Sequence, residues 1–197
     1  MRIFVGLDLD DGIRERIARF IAEVSGLAPD VRWVTAESLH ITLKFIGEKP
    51  DTLVDQAKEH LAAISGPGFE VSFRGCGFFP AAKSARVFWI GIEAGPALGK
   101  LVAGIENALT GIGVPKETRA FSPHLTLARS GSGAPSRRKI DKPNQRFAAL
   151  QRKLAQLPTP DFGTMAAREF FLYRSQLSNQ GSRYTKLARF ELLSNRE

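Results

Sequence analysis

The chain has 197 residues, of which 43% are hydrophobic and 24% charged, and its formal net charge is +8. These values are typical of a globular domain and exclude collagen-like, low-complexity and wholly disordered chains. The apolar runs are too short for a membrane-spanning helix or a secretory signal peptide, and a single cysteine, Cys76, excludes an internal disulfide. We therefore expect a cytoplasmic protein without membrane association, whose positive charge favours an anionic partner.

Hydrophobic periodicity and turn residues divide the chain into two halves of similar organisation. The first half predicts the order strand, helix, strand, helix, strand at residues 2–9, 11–25, 39–46, 51–64 and 69–79. The second half predicts strand, helix, strand, helix and two closing strands at residues 86–93, 96–111, 122–129, 145–156, 167–177 and 183–192. Residues 130–144, which are rich in Gly, Ser and Pro, are predicted to form a long loop.

The two halves also repeat each other in sequence. Residues 2–5 (RIFV) match residues 86–89 (RVFW), and residues 38–43 (SLHITL) match residues 122–127 (SPHLTL), both at an offset of 84. Repeats at one spacing indicate related structural units. We therefore predict a single α+β domain over residues 1–197, made of two pseudo-symmetric lobes at about 1–80 and 85–193. Each lobe is expected to be an antiparallel sheet with outer helices, with the active-site cleft between the sheets.

Each half carries a His-x-Thr motif on a predicted strand. Because side chains alternate along a strand, His40 shares a face with Thr42, and His124 shares a face with Thr126. In two lobes related by a pseudo-twofold axis, these pairs can face each other across one cleft. Two imidazoles with a pKa near about 6.5 supply a base and an acid at neutral pH, and the hydroxyls can donate to phosphoryl oxygens. Such a site suits in-line displacement at phosphorus.

Simpler explanations apply to each motif alone, since a histidine on a strand is usually just half-buried. A two-histidine metal site lacks a third ligand, because no Asp or Glu lies beside either motif on the histidine face. We therefore expect no metal and no cofactor. The third histidine, His60, has no threonine partner and is predicted to lie at the surface near a helix end. The repeat favours catalysis, because two of the three histidines occupy equivalent positions.

Residues 40–48 (HITLKFIGE) and 122–129 (SPHLTLAR) resemble the two signature motifs of the 2H phosphoesterase superfamily. The resemblance is strongest to the LigT-like RNA 2′,3′-cyclic phosphodiesterases, also called 2′-5′ RNA ligases, and covers nearly the whole chain. It implies hydrolysis of an RNA 2′,3′-cyclic phosphate end to a 2′-phosphate, reversible as 2′-5′ ligation. It also implies that His40 is the proton donor, that His124 is the proton acceptor, and that Thr42 and Thr126 hold the phosphoryl oxygens. We further expect a monomer that acts on RNA ends, with tRNA fragments among the candidates.

Four more residues are candidates for substrate contact. Regular alternation places Arg129 opposite Thr126, but the strand is near its end and the resemblance implies an arginine close to the phosphate. Alternation points Phe45 toward the core, which favours packing over base stacking. Tyr184 matches an aromatic position of similar sequences and Trp33 can form a cleft wall; plain strand packing is the alternative for both.

Residues 137–153 contain seven basic residues and one acid. A stretch of this kind is often only solvated surface, but beside a phosphodiesterase cleft it is predicted to follow an RNA backbone. Two other functions stay open at this point. One is a phosphodiesterase for a small cyclic phosphate derived from a nucleotide or ADP-ribose, and the other is a non-catalytic RNA-binding module.

Overall fold

A computed structural model describes residues 1–131, 144–178 and 181–193, and these residues form nine strands and four helices. The strands are β1 (Arg2–Leu7), β2 (Arg32–Trp33), β3 (Ile41–Glu48), β4 (Phe69–Phe79), β5 (Val87–Glu93), β6 (His124–Arg129), β7 (Asp161–Ala167), β8 (Glu169–Ser178) and β9 (Gly181–Glu191). The helices are α1 (Asp11–Val24), α2 (Asp51–Ala62), α3 (Gly95–Thr110) and α4 (Ala148–Leu154). None of these four helices has the length and apolar character needed to cross a membrane.

The strands form two antiparallel sheets, which confirms the predicted α+β class. The first sheet has the order β3-β1-β8-β9, and the second has the order β2-β6-β5-β4-β7. Strands from one half of the sequence pair with strands from the other half. β4 of the first half pairs with β5, whereas β8 and β9 of the second half extend the sheet of β1 and β3. Each sheet is therefore built from both halves, which the order of elements along the chain does not reveal.

Two strands were not predicted from the sequence, and the last helix is shorter than predicted. β7 pairs with the outer edge of β4, and its Gly163 has a φ of 93°, which interrupts regular strand geometry. β2 consists of two residues beside β6. Part of the predicted loop and of the basic stretch, residues 132–143, lies outside the described residues.

The helices form where the apolar periodicity predicts them. The side chain of Asp10 accepts a hydrogen bond from the backbone N–H of Ile13 at 2.7 Å and so caps the start of α1. Ile13, Ile17 and Val24 are the buried positions of that helix. The buried positions of α3 follow the same spacing of three and four residues: Leu98, Leu101, Val102, Ile105 and Leu109. Both sets join one hydrophobic core with the inward residues of the two sheets.

The first sheet has an aromatic cluster on the face opposite the core. Ile3 and Val5 of β1 are buried in the main core, whereas Phe4, between them, points to the other face. The other members of this cluster are Phe171, Tyr173 and Tyr184. The cluster forms one wall of the site described below.

Bulges in β3 and β6 determine which side chains share a face. Relative to β1, β3 has extra residues at Leu43 and Ile46, and each extra residue resets the alternation of side chains. Relative to β5, β6 has one extra residue at Leu127. As a result, residues separated by three positions, such as Thr126 and Arg129, lie on one face.

Candidate active site

The histidines of the two His-x-Thr motifs make equivalent hydrogen bonds. His40 Nδ1 lies 2.7 Å from the carbonyl oxygen of Ser38, and His124 Nδ1 lies 2.8 Å from the carbonyl oxygen of Ser122. A carbonyl oxygen only accepts, so Nδ1 carries the hydrogen in both rings. Nε2 is therefore the nitrogen that each imidazole can use to accept or donate a proton.

His40 is half-buried and lies among aromatic rings of the first sheet. Its ring centroid lies 4.7 Å from that of Phe4 and 4.7 Å from that of Tyr184. Burial lowers the pKa of His40, while the hydrogen bond to Ser38 acts in the opposite direction. His124, by contrast, is exposed at the start of β6.

Asp8 contributes a negative charge beside His40. Its carboxylate forms ion pairs with Arg14 and Lys186 and accepts a hydrogen bond from the backbone N–H of Leu9 at 2.9 Å. Burial by itself raises the pKa of Asp8, but the bond from Lys186, the N–H of Leu9 and the charge of Arg14 hold it below its ordinary value. Asp8 is thus an anion in the folded protein, and its charge raises the pKa of His40.

Arg14 fixes the segment that leads into the first motif. Its guanidinium donates hydrogen bonds to the carbonyl oxygen of Ala36 and, at 3.3 Å each, to those of Leu39 and Leu9. Leu39 immediately precedes His40. Arg14 therefore ties α1 to the end of β1 and to the backbone that positions the imidazole.

Arg129 connects the two motifs. Its Nη2 donates a hydrogen bond to the hydroxyl of Thr126 at 3.3 Å, and its positive charge also lowers the pKa of His40. Arg129 is exposed as a whole residue, but its guanidinium lies among other side chains. This burial lowers the pKa of Arg129, whereas the nearby Tyr184 raises it. The interpretation of Arg129 as lying opposite Thr126 is therefore wrong, because the bulge at Leu127 turns it to the same face.

Phe45 also lies on a different side from the one that simple alternation predicts. Its side chain is 51% exposed, and the guanidinium carbon of Arg2 lies 4.8 Å from the centre of its ring. The bulge at Leu43 gives it the same outward orientation as the exposed Thr42. Phe45 is therefore available for contact with a ligand rather than packed in the core.

A profile of the LigT-like phosphoesterase family matches the chain twice in succession, at residues 7–89 and at residues 90–184. Each match contains one His-x-Thr motif. The chain belongs to the LigT-like phosphoesterase family. This finding confirms the resemblance to the 2H phosphoesterases that the two motifs indicate.

Proteins named RNA 2′,3′-cyclic phosphodiesterase are similar to this LigT-like phosphoesterase over nearly its full length. One from Archaeoglobus fulgidus is 34% identical over 97% of this chain and 100% of its own, and one from Escherichia coli is 31% identical over 97% and 96%. Solved structures of similar proteins have the same fold. E. coli LigT in complex with 3′-AMP has a TM-score of 0.75 at 28% identity over 97% of both chains, and a Thermus thermophilus protein has 0.76 at 26% identity over 100% of both.

Trp33 of this LigT-like phosphoesterase packs on the core side of the second sheet. Its indole N–H donates a hydrogen bond to the carbonyl oxygen of Ala28 at 3.0 Å, and its ring packs edge-on against Phe88. Trp33 belongs to the core edge, so the expectation that it forms a cleft wall is corrected. Its neighbour Arg32 pairs with Arg129 and takes the outward position on β2.

Several residues of the site were not predicted from the sequence. Phe4, Tyr173, Asp8 and Arg14 surround or position His40, yet each lies far from it along the chain. For Phe4 the sequence signal is the repeat, which matches residues 2–5 (RIFV) with residues 86–89 (RVFW). Among the described residues, no group of three or more His, Cys, Asp or Glu side chains is placed to hold a metal ion.

Proposed function

We propose that this LigT-like phosphoesterase hydrolyses the 2′,3′-cyclic phosphate ends of RNA to 2′-phosphomonoesters, with His40 and His124 as a proton-transferring pair. The observation that carries the proposal is the shared environment of the two motifs, in which Arg129 bonds to Thr126 and acts electrostatically on His40. The relatives named RNA 2′,3′-cyclic phosphodiesterase support the substrate class.

The tautomers support acid–base chemistry at Nε2 of both histidines. With Nδ1–H bonded to a carbonyl oxygen, a neutral imidazole presents the lone pair of Nε2, and an imidazolium presents Nε2–H. One neutral and one protonated ring therefore provide the base and the acid that the reaction needs. We assign the base to His124 and the acid to His40, as the family resemblance implies.

The cyclic phosphate is held through its non-bridging oxygens. The hydroxyls of Thr42 and Thr126 donate hydrogen bonds to these oxygens, and the guanidinium of Arg129 balances their charge. Arg129 is already bonded to Thr126, so the two groups converge on one position. Positive charge at that position also stabilises the additional negative charge that develops during attack at phosphorus.

The reaction proceeds by in-line displacement. His124 takes one proton from a water molecule while the water oxygen forms a bond to phosphorus. The bond between phosphorus and the 3′ oxygen breaks, and His40 gives its proton to that oxygen. The products are a 3′-hydroxyl and a 2′-phosphate. The same displacement, with a 5′-hydroxyl in place of water as the nucleophile, forms a 2′-5′ linkage and a 3′-hydroxyl.

Product analysis tests this function. The protein is incubated in EDTA with a cyclic-phosphate-ended oligonucleotide and, separately, with a mononucleotide cyclic phosphate and ADP-ribose cyclic phosphate. We expect a 2′-phosphate from the oligonucleotide and slower turnover of the small compounds. A 3′-phosphate product or a requirement for metal would contradict the mechanism. Preference for a small compound would favour the alternative phosphodiesterase, and binding without turnover would favour the RNA-binding module.

Three expectations from the sequence stay predictions. They are the cytoplasmic location, the monomeric state and the use of tRNA-derived substrates.

A further inference from the structure

Trp89 lies on the open face of the second sheet, next to the second motif. It pairs directly with Thr126 across β5 and β6, and the following outward residue, Gly91, pairs with His124. Directly paired residues of antiparallel strands point to the same face. The indole therefore shares a surface with the hydroxyl and the imidazole of the motif.

The neighbouring strand leaves room for a flat indole. Trp89 pairs with Gly77 of β4, and a Cβ added to Gly77 would lie 2.3 Å from the indole ring. The ring thus lies against the backbone of Gly77 on one side. Trp89 is only partly buried, which leaves the ring accessible to a planar partner.

A second aromatic side chain extends this surface away from the motif. Phe79 pairs with Val87, two residues before Trp89 on the same face, and 48% of its surface is exposed. Large exposed apolar side chains are common at binding surfaces when they lie together. Trp89, Val87 and Phe79 form what we call the Trp89–Phe79 surface.

Charge gives the Trp89–Phe79 surface a direction. At the Phe79 end, Arg129 pairs with Val87, and the exposed Lys83 lies in the turn between β4 and β5. At the opposite end of the same face, Glu93 on β5 and Glu70 on β4 are exposed and acidic, and the exposed Arg74 of β4 lies between them and Gly77. A polyanion that leaves the histidines is therefore attracted toward Phe79 and repelled from Glu93.

We propose that the Trp89–Phe79 surface binds the single-stranded RNA on the 5′ side of the cyclic phosphate, with bases stacked on Trp89 and Phe79. Aromatic side chains on an open sheet, beside basic residues, are a common means of holding unpaired bases without reading their sequence. The inference rests on the proposed function, because that function places the RNA end between the histidines. It specifies a strand, rather than a mononucleotide, as the preferred substrate.

Binding of unreactive ligands tests the inference separately from catalysis. The ligands are a fluorescent hexanucleotide with a 3′-phosphate and a mononucleotide 3′-phosphate. Because a stacked base contributes strongly to affinity, Trp89→Ala and Phe79→Ala should each weaken hexanucleotide binding about tenfold. Trp89→Phe, which keeps an aromatic ring, should lose about threefold or less. Mononucleotide binding should stay within about twofold in all three variants.

A further variant and a control complete the experiment. Gly77→Ala keeps the indole but displaces its ring, so it should also weaken hexanucleotide binding. Leu157→Ala removes an exposed apolar side chain elsewhere and should change nothing. The inference would be overturned if hexanucleotide affinity stayed unchanged, or if the mononucleotide lost affinity to the same extent. It would also be overturned if the substitutions changed the oligomeric state of the protein and left RNA affinity unchanged. If the protein shows no hydrolysis while these affinities change as expected, the proposed function fails and the binding surface stands.

Discussion

The imidazoles of His40 and His124 each bond through Nδ1 to the carbonyl oxygen two residues earlier in the chain, at 2.7 and 2.8 Å. The same local geometry thus presents Nε2 of both rings. Their surroundings differ, because His40 is half-buried among aromatic rings and His124 is exposed. Two equivalent nitrogens in unequal environments are suited to unequal roles, one as acid and one as base.

The first prediction concerns the titration of His40. Burial lowers its pKa, so in the free protein it should titrate below the ordinary histidine value of about 6.5. Its contribution to stability is therefore complete above that value and is lost as the pH falls through the lower folded pKa. A bound phosphate anion should raise the pKa of His40, which restores the proton for catalysis. NMR titration of the ring resonances checks both shifts, and a free-protein pKa above about 6.5 would contradict them.

The second prediction concerns Arg129. Arg129→Ala removes the positive charge that faces the phosphate and frees the hydroxyl of Thr126. We expect kcat/KM to fall about 100-fold, with a smaller loss in Arg129→Lys, which keeps the charge but not the planar guanidinium. Arg19→Ala, at an exposed arginine of α1, is the matched control. Steady-state kinetics on one cyclic-phosphate oligonucleotide measure kcat/KM for each variant. Equal values for the Arg129 and Arg19 variants would refute a role of Arg129 at the phosphate.

The third prediction concerns Arg14 as a positioning residue. Arg14→Ala removes one of the two cations paired with Asp8 and one donor to each of three carbonyl oxygens, so the free energy of unfolding should fall by about 2–4 kcal/mol. Because the backbone before His40 loosens, kcat should fall more than KM rises. The His40 ring resonances should also shift. A purely structural role predicts lower stability with kcat and the His40 spectrum unchanged in the folded fraction.

The fourth prediction concerns Tyr173, which stacks on Phe4 at a centroid distance of 5.0 Å. Its buried hydroxyl has no hydrogen-bond partner among the described residues, and burial raises its pKa. Tyr173→Phe keeps the ring and removes the unpaired polar group, so stability should hold or rise by about 1 kcal/mol. Urea unfolding measures the change. A loss of more than about 1 kcal/mol would show that the hydroxyl has a partner.

The sequence was sufficient to predict the catalytic histidine candidates because their evidence is local and repeated. His40 and Thr42, like His124 and Thr126, need only strand alternation and the offset of 84 to be paired. The long amphipathic helices were predictable for the same reason, since α1 and α3 carry uninterrupted apolar spacing.

Other features depend on which strands pair and in what register. The bulges in β3 and β6 are set by the partner strand, and they place Phe45 on the same face as Thr42 and Arg129 on the same face as Thr126. The different positions of Trp33 and Trp89 could not be predicted for the same reason. Both are aromatic residues on strands, but only the register against β6 separates the one that packs on Phe88 from the one beside Thr126.

The central claim, that two histidines share the chemistry, is tested most directly by single substitutions assayed on one cyclic-phosphate oligonucleotide. His40→Ala and His124→Ala should each lower kcat by about 100- to 10,000-fold, whereas His60→Ala, at an exposed histidine of α2, should leave it unchanged. In a second substrate, sulfur replaces the 3′ leaving oxygen, and a thiolate departs without being protonated. On this substrate His40→Ala should recover activity and His124→Ala should not. Full activity of either the His40 or the His124 variant on the oxygen substrate would contradict the account.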